Sequence, residues 1–320
     1  MSRLPGEHPL SQALRELLPG GTPWAGSGEV LLTPLPSSRE VFRITASQGE
    51  AAMVGKFYSG YPPATSADRS LEREYQNYLW AETLGLSNGP GLIPRLLGRH
   101  PQTRLGLMLA DVPGPDLDQA QALACHHGDQ GQLYYCLEKL AGLLAVFHTR
   151  PLVAQPVAFE PALRYLAKLE RQLEELDLLT PDDAQALKEE RSAWTARLAR
   201  LPDQEVLAHG DATPTNFLFP DGRAVALDLE RLGPADRLWD LSWVAGELKH
   251  AWGCRAGHFE GAEPAIGHFF AVYLRALGVD AALVRRIFTL NPFYMALAEL
   301  RIARNQYLPR EHRRALVAEA

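Results

Sequence analysis

The sequence is poor in cysteine and lysine, and it has no long apolar run. Its three cysteines, Cys125, Cys136 and Cys254, form no Cys-x-x-Cys pair, which speaks against a zinc ribbon and against a disulfide framework. No apolar stretch approaches the roughly 18 residues of a membrane span, and the polar first residues lack the apolar core of a signal peptide. These absences favour a cytoplasmic protein without a membrane partner.

Positive charge and two common catalytic motifs are also scarce. The 320 residues carry a net charge of −6, which speaks against a nucleic-acid partner because such proteins usually have a basic excess. The absence of a Gly-x-x-x-x-Gly-Lys-Ser/Thr loop and of a Gly-x-Ser-x-Gly elbow argues against a P-loop enzyme and a serine hydrolase. Arginine supplies most of the positive charge, and the few lysines are Lys56, Lys139, Lys168, Lys188 and Lys249.

The first third of the sequence has the pattern of strands. Five apolar runs are separated by turn signals, and an amphipathic helix lies between the third and the fourth run. Because strands and helices do not alternate regularly, we expect an α+β region with antiparallel strands. The predicted strands are 29–35, 41–46, 51–58, 93–99 and 104–110, and the predicted helices are 9–18 and 66–84.

The rest of the sequence has mainly the apolar periodicity of helices. The change of pattern near residues 110–112 predicts an extension 1–24 with a short helix, an N-terminal lobe 25–111 and a C-terminal lobe 112–320. A cleft between two such lobes is a usual place for a ligand. The predicted helices are 132–148, 160–178, 182–201, 238–252, 265–277 and 281–307.

The most informative motif is the run HGDATPTN from His209 to Asn216, which Asp228 follows after twelve residues. The turn sequence Pro-Asp-Gly-Arg at 220–223 separates two short apolar runs and predicts a β-hairpin. Asn216 and Asp228 then lie beside each other at its open end. Their amide and carboxylate oxygens are ligands that Mg²⁺ accepts, and Asp211 can face the same point without being a ligand.

Together with a second run, Gly-Pro-x-Asp-x-x-Trp-Asp-Leu at 233–241, this motif resembles that of the aminoglycoside phosphotransferase and choline kinase-like family. The resemblance covers nearly the whole chain, because the strands of the N-terminal third also fit. It implies the bilobal protein-kinase-like fold. Such a fold has a five-stranded antiparallel sheet with one helix in the N-terminal lobe and a mainly helical C-terminal lobe.

The resemblance also implies roles for the residues of the two runs. Asp211 is implied to be the catalytic base or to orient the acceptor hydroxyl, and Asn216 and Asp228 are implied to hold metal ions. Asp240 is implied to brace the loop that contains His209, although an aspartate at the start of a helix also fits an N-cap. The alternative function is that of a non-catalytic nucleotide-binding or scaffold protein on the same fold.

Lys56 lies in an apolar strand, where an unpaired ammonium group is costly. The resemblance implies that this lysine binds the α- and β-phosphates of a nucleotide and pairs with a helix glutamate. Glu74 and Glu72 both fit that role, and we prefer Glu74 because it lies beside Tyr75 at the edge of the apolar stripe. The alternative is an edge-strand lysine that points to solvent.

The turn at 36–39 lies where the family has a glycine-rich loop over the phosphates, and it contains no glycine. Ser37 and Ser38 are the candidates for phosphate contacts there, and this departure leaves both ATP and GTP open as donors. Leu109 and Asp111 lie where the resemblance places a hinge whose backbone reads the nucleotide base.

The acidic residues Glu230 and Asp236 follow Asp228 on a predicted loop. They are candidates for binding a cationic acceptor or a second magnesium ion, and solvated loop acids are an equally compatible interpretation.

The sequence leaves the acceptor open. The helices 160–201 are rich in Glu and Asp, which suits an aminoglycoside, but such faces are often only solvated. The basic residues of the C-terminal stretch argue against a strongly acidic pocket. We therefore predict an enzyme that uses Mg²⁺ and transfers the γ-phosphate of ATP or GTP to a hydroxyl of an aminoglycoside, an amino alcohol or a sugar, as a monomer or a homodimer. The basic residues are Arg301, Arg304, Arg310, Arg313 and Arg314.

Overall fold

The computed structural model divides the chain into two compact units. The first comprises Met1–Pro113 and Val225–Glu230, and the second comprises Gly114–Ala224 and Arg231–Ala320. Among the described residues, no helix is both long and apolar enough to cross a bilayer. The structure describes residues 2–5, 7–8, 11, 30–36, 40–46, 52–58, 64–88, 91–100, 105–198 and 200–320, so most of the predicted helix 9–18 lies outside the described residues.

The first unit is built on a six-stranded antiparallel sheet with strand order β1-β2-β3-β4-β6-β5. The α+β fold class is therefore confirmed, with one strand more than predicted. The additional strand, β1, has only three residues, which is too short for a periodic signal, and it pairs with β2. The strands are β1 Ser2–Leu4, β2 Val30–Pro34, β3 Glu40–Ala46, β4 Ala52–Phe57, β5 Leu96–His100 and β6 Leu105–Ala110.

The helix of the first unit, α1, spans Ala64–Thr83. Strand β4 lies between β3 and β6, and its Lys56 is opposite Leu107 of β6. Gly106 permits this close approach, because a Cβ there would lie 1.6 Å from the carbonyl oxygen of Lys56. Buried apolar side chains of four strands pack together on the sheet: Val30, Ile44, Met53 and Met108.

The described part of the second unit is mainly helical, as predicted. Helix α6 packs against α8, and α3 packs against α7. The predicted helix 281–307 ends earlier, at Ala303, and is followed by a turn. The helices are α2 Leu117–His127, α3 Gln130–His148, α4 Glu160–Glu175, α5 Pro181–Leu198, α6 Leu238–Arg255, α7 Glu263–Ala276, α8 Ala281–Ala303 and α9 Arg310–Glu319.

Two of these helices, α2 and α9, were missing from the sequence prediction. Helix α2 follows Pro113-Gly114-Pro115, and Asp116 caps it by accepting a hydrogen bond from the Gln119 backbone N–H at 2.9 Å. Helix α9 is largely polar, and Arg313 and Leu316 are its buried residues. A helix as short as α9 is only marginally stable by itself, so that its formation depends on tertiary packing.

Four short strands follow α5 in the chain. Strands β7 and β10 pair antiparallel, with Ala208 opposite Gly233, and they flank the segment that contains the HGD motif. Strands also form at both places where the hairpin was predicted, and the boundary between the two units falls between them, after Ala224. The strands are β7 Val206–Ala208, β8 Phe217–Leu218, β9 Val225–Ala226 and β10 Gly233–Ala235.

Candidate active site

In the first unit, Lys56 lies between two carboxylates. Its Nζ donates to Glu74 Oε1 at 2.7 Å and to Asp228 Oδ1 at 2.9 Å. The Tyr58 hydroxyl donates a further hydrogen bond to Glu74, which is fully buried. Because β4 is an inner strand and Lys56 is buried, the alternative of a solvent-facing edge lysine is wrong.

The two carboxylates stabilise the charge on Lys56. Burial acts to lower the pKa of Lys56, but the carboxylates of Glu74 and Asp228 outweigh it, so that the pKa is raised and the ammonium form is favoured. Burial raises the pKa of Glu74, against the opposite effect of Lys56. Glu72 lies elsewhere: it is half-exposed and binds Arg99, so the structure pairs Lys56 with Glu74.

Asp228 and Glu230 belong to the same unit as Lys56. Carboxylate oxygens of Glu74, Asp228 and Glu230 all lie within 4.8 Å of one another. Asp228 has a positive φ of 56°, and the carbonyl of the next residue, Leu229, accepts a hydrogen bond from Asn77 Nδ2 at 2.7 Å. Hard carboxylate oxygens at this spacing suit Mg²⁺, with phosphate and water completing the coordination.

The other predicted nucleotide contacts are only partly described. Ser37 and Ser38 lie outside the described residues. Leu109 is buried in β6 opposite Val54, and the Asp111 backbone N–H donates to the carbonyl of Ala52 at 3.3 Å. The Asp111 side chain pairs with Arg43 at 3.0 Å, so this aspartate ties the end of β6 to β3.

In the second unit, the HGD motif forms a sharp turn after β7. Gly210 has a φ of +79°, a conformation that favours glycine. A Cβ at this position would also lie 2.6 Å from the carbonyl oxygen of Arg231. The turn therefore requires glycine for two independent reasons, and it brings Asp211 out of the strand that precedes it.

Asp240 braces this turn. Its carboxylate accepts hydrogen bonds from the backbone N–H groups of His209 at 2.7 Å and Gly210 at 2.8 Å. His148 Nε2 lies 3.1 Å from the same carboxylate, and His148 Nδ1 lies 2.7 Å from the Tyr273 hydroxyl. Helix α6 begins at Leu238 with Arg237 at the N-cap position and no side-chain cap, so the N-cap interpretation of Asp240 is wrong.

The protonation states follow from burial and hydrogen bonding. Burial acts to raise the pKa of Asp240, but the hydrogen bonds that its carboxylate accepts from His148 and from the Gly210 N–H lower it below its usual value. Burial lowers the pKa of His148, so its neutral form is favoured. An ionised Asp240 then accepts from a neutral His148 that carries its proton on Nε2.

Asp211 and Asn216 are connected within one loop. The Asn216 Nδ2 donates to the backbone carbonyl of Asp211 at 2.9 Å, and the Thr213 N–H donates to the same carbonyl at 2.8 Å. Since the amide nitrogen of Asn216 makes this bond, its oxygen is the atom that suits a metal ion. Asp228, the other predicted metal ligand, belongs to the first unit.

One residue beside Asp211 was absent from the predicted site. Arg301, on α8, donates from Nη2 to Asp211 Oδ1 at 3.0 Å and from Nη1 to Glu247 Oε1 at 3.3 Å. The two residues of the Arg301–Asp211 pair are 90 positions apart in the sequence. The basic character of the C-terminal stretch was the only sequence signal, and it did not distinguish Arg301 from its neighbours.

The structure buries Asp236, one of the two candidate acceptor-binding residues. Its carboxylate accepts two hydrogen bonds from Arg286, at 3.0 and 2.6 Å, and one from the Tyr294 hydroxyl at 2.9 Å. With 3% of its surface exposed, Asp236 is not a solvated loop acid, and its oxygens are engaged within the second unit. The other candidate, Glu230, lies in the carboxylate group of the first unit described above.

A cavity of about 270 Å³ opens beside the HGD turn of the second unit. Three aromatic rings form much of its wall, and Tyr165, Trp239 and Trp243 pack against one another with centroids 5.0 to 6.2 Å apart. Arg231 is the one charged residue among the described residues of the lining. The lining residues are Pro161, Tyr165, Gly210, Arg231, Ala235, Trp239 and Trp243.

Comparison with protein families gives one match that spans most of the chain. A family model described as a phosphotransferase enzyme family matches residues 32–285. Among curated proteins, no relative matches the chain.

Several solved structures share the fold. A choline kinase from Cryptosporidium parvum Iowa II superposes with a TM-score of 0.62 at 13% identity and covers 96% of this chain and 92% of its own. An ADP-bound aminoglycoside phosphotransferase gives 0.59 at 16% identity, with 97% of each chain covered. A glucosamine kinase gives 0.60 at 15% identity and covers 98% of this chain and 83% of its own. At these identities the likeness concerns the fold.

Proposed function

The chain belongs to the phosphotransferase enzyme family, and from this premise we propose that it transfers the γ-phosphate of ATP or GTP to a hydroxyl group of a small molecule. The observation that carries the proposal is the geometry of Asp211. This carboxylate extends from a glycine turn that Asp240 holds through two short hydrogen bonds, and Gly210 of the same turn lines the aromatic cavity.

In the proposed reaction, the acceptor oxygen attacks the γ-phosphorus. A bond forms between that oxygen and the phosphorus, while the bond to the β,γ-bridging oxygen breaks and the nucleoside diphosphate leaves. The hydroxyl proton passes to the Asp211 carboxylate. Positioning and charge neutralisation supply most of the acceleration in such transfers, so the task of Asp211 is to orient the hydroxyl and to take up its proton.

Lys56 is the proposed contact to the nucleotide phosphates. It is held as an ammonium ion by Glu74 and Asp228, and Tyr58 adds a second donor to the Glu74 carboxylate. A buried cation with fixed direction can neutralise phosphate charge without reorganising, which is what electrostatic catalysis requires. Leu109 and Asp111 at the end of β6 remain the proposed contacts to the base, and Ser37 and Ser38 the proposed contacts to the phosphates.

Asp228 and Asn216 are the proposed magnesium ligands, and Glu230 is a further candidate. The fit rests on the donor set, in which carboxylate oxygens lie within 4.8 Å of one another and the Asn216 nitrogen is engaged with Asp211. When bound, Mg²⁺ would neutralise charge on the phosphate oxygens. His209 and Asp240 support the turn, and we assign Asp236 a structural role because Arg286 and Tyr294 engage it.

The aromatic cavity is the proposed acceptor site. Its wall presents the rings of Tyr165, Trp239 and Trp243, and no carboxylate is among the described lining residues. A polycationic aminoglycoside requires carboxylates, whereas the flat face of a sugar ring or a small alcohol can pack on aromatic rings. The lining therefore favours a sugar or another small hydroxyl compound over an aminoglycoside.

The substitution Asp211→Asn tests the catalytic assignment. Because the amide keeps the shape but takes up no proton, we expect kcat to fall by about 10²- to 10⁴-fold, while the affinity for Mg·ATP stays within about twofold. Phosphate transfer and calorimetric nucleotide binding are measured side by side, with the exposed Asp182→Asn as the matched control. Turnover by Asp211→Asn at the wild-type rate would remove Asp211 from the chemistry.

A paired acceptor screen tests the substrate class. ATP and GTP are each offered with two matched pairs of acceptors, glucose with glucosamine and ethylene glycol with ethanolamine. In each pair the second compound has an ammonium group in place of one hydroxyl. An aminoglycoside is tested as a further acceptor. Because Arg231, the one charged residue of the described lining, repels a cation, we expect the neutral member of a pair to be phosphorylated with the higher kcat/KM. Failure of wild-type protein with every donor and acceptor would favour the non-catalytic alternative.

A further inference from the structure

Three ionisable side chains form a connected row in the second unit. Glu247 lies on α6, Arg301 on α8, and Asp211 in the turn after β7. The Arg301 guanidinium donates to Glu247 Oε1 at 3.3 Å and to Asp211 Oδ1 at 3.0 Å. The Arg301 guanidinium thus bridges two carboxyl groups, the proposed catalytic carboxylate of Asp211 and that of Glu247.

The row is largely removed from water. The side chains of Asp211, Arg301 and Glu247 are 14, 16 and 12% exposed. The guanidinium also lies over the ring of Trp243, 5.6 Å from its centroid. A planar guanidinium held by two carboxyls and an aromatic face has little rotational freedom, and charges interact more strongly at this depth than in water.

We propose that Arg301 and Glu247 are positioning residues for Asp211: Arg301 fixes the direction of the carboxylate, and Glu247 sets how strongly Arg301 holds it. This inference rests on the proposed function, in which Asp211 accepts the proton of the acceptor hydroxyl. Neither residue is proposed to touch a substrate.

The charge on Glu247 changes near neutral pH. Burial raises its pKa to about 7; Arg301 acts against burial, and Asp211 and Asp118 act with it. Asp118, on α2, is itself bound by Arg255 at 2.6 Å. Helices α7 and α9 also pack against α6. Their carboxylates Glu263 and Glu319 form ion pairs with Lys249.

The two charge states act differently on Asp211. When Glu247 is ionised, two carboxylates share the guanidinium, and Arg301 holds Asp211 less tightly. When Glu247 is neutral, the guanidinium acts mainly on Asp211 and competes more strongly with the acceptor hydroxyl for that carboxylate. We therefore expect the wild-type kcat to rise as pH increases through about 7, which a permanently neutral residue at position 247 would prevent.

The first measurement is the pH profile of turnover with Mg·ATP from pH 6 to 9, with water as the acceptor. Glu247→Gln should lose the rise near pH 7 and have a kcat about fivefold below wild type at pH 8, with an unchanged KM for ATP. Arg301→Lys should retain part of the rate that Arg301→Ala loses. Glu311→Gln, the same change at an exposed site on α9, should follow the wild-type profile.

The second measurement does not require turnover. Because Arg301 lies over Trp243, protonation of Glu247 should shift the tryptophan emission near pH 7, and the shift should disappear in Glu247→Gln and in Trp243→Phe. Wild-type and Glu247→Gln enzymes with the same pH profile would overturn the inference and leave the proposed function standing. If wild-type protein transfers no phosphate from ATP or GTP to water or to any acceptor of the screen, the proposed function is contradicted, and the fluorescence titration alone decides whether Glu247 acts on Arg301.

Discussion

Replacing Asp240 with asparagine is the sharpest test of how the catalytic turn is held. The carboxylate is fully buried, and it accepts from the backbone N–H groups of His209 and Gly210 and from His148 Nε2. Oδ1 accepts from Gly210, while Oδ2 accepts from both His209 and His148. An asparagine in the same place offers one acceptor oxygen, so in either orientation its NH₂ group faces at least one N–H donor.

The expected cost follows from these bonds. A hydrogen bond to a charged acceptor contributes about 1.5–3 kcal/mol, and a buried donor left without a partner loses its hydration as well. One bond is lost outright in Asp240→Asn, and the remaining bonds change from a charged to a neutral acceptor. We therefore expect the free energy of unfolding to fall by about 3 kcal/mol, a large part of the stability of an ordinary domain.

Urea unfolding followed by tryptophan emission measures this loss, since the chain has six tryptophans. Trp239 and Trp243 lie on the same helix as Asp240, so their emission reports on the region concerned. The matched control is Asp182→Asn, the same change at an exposed site on α5, which should stay within about 0.5 kcal/mol of wild type. The kcat of Asp240→Asn should fall as well, because the turn positions Asp211.

A fall of less than about 1 kcal/mol in the free energy of unfolding of Asp240→Asn would refute the reasoning. So small a fall would not exceed the contribution of a single neutral hydrogen bond. A normal kcat at an unchanged free energy of unfolding would show that the turn keeps its geometry without the carboxylate. Lower stability with a normal kcat would separate the two roles and leave Asp240 as a stabilising residue alone.

Three further changes have defined outcomes. Glu74→Gln removes a charge partner of buried Lys56, so the midpoint of thermal unfolding should fall and calorimetry should show weaker Mg·ATP binding; unchanged values would contradict the pairing. Gly210→Ala places a Cβ against a backbone carbonyl at positive φ, so urea unfolding should show a loss of about 2 kcal/mol or more. Burial raises the pKa of Glu299 to about 8 in the folded protein. Between the ordinary pKa of a glutamate and pH 8, the folded state therefore keeps a proton that the unfolded state has released. The free energy of unfolding falls as pH rises through this range. Glu299→Gln lacks this loss and should gain about 3 to 4 kcal/mol relative to wild type between pH 5 and pH 8 in urea unfolding; parallel curves would contradict it.

The sequence alone determined the elements whose signal is local. Strand β4 and helix α1 have an apolar periodicity that can be read from their own residues, and both formed close to the predicted bounds. The need of Lys56 for a partner also follows from its own strand, because an unpaired buried ammonium group is costly.

Tertiary structure decided the partners. Glu72 and Glu74 are two residues apart on α1, and the rotation of the packed helix directs Glu74 to Lys56 and Glu72 to Arg99. Arg301 reaches Asp211 across 90 residues only because α8 packs beside α6. Periodicity describes which face of an element is buried, whereas contacts between distant charges depend on how the faces meet, and that information is absent from any local stretch of the chain.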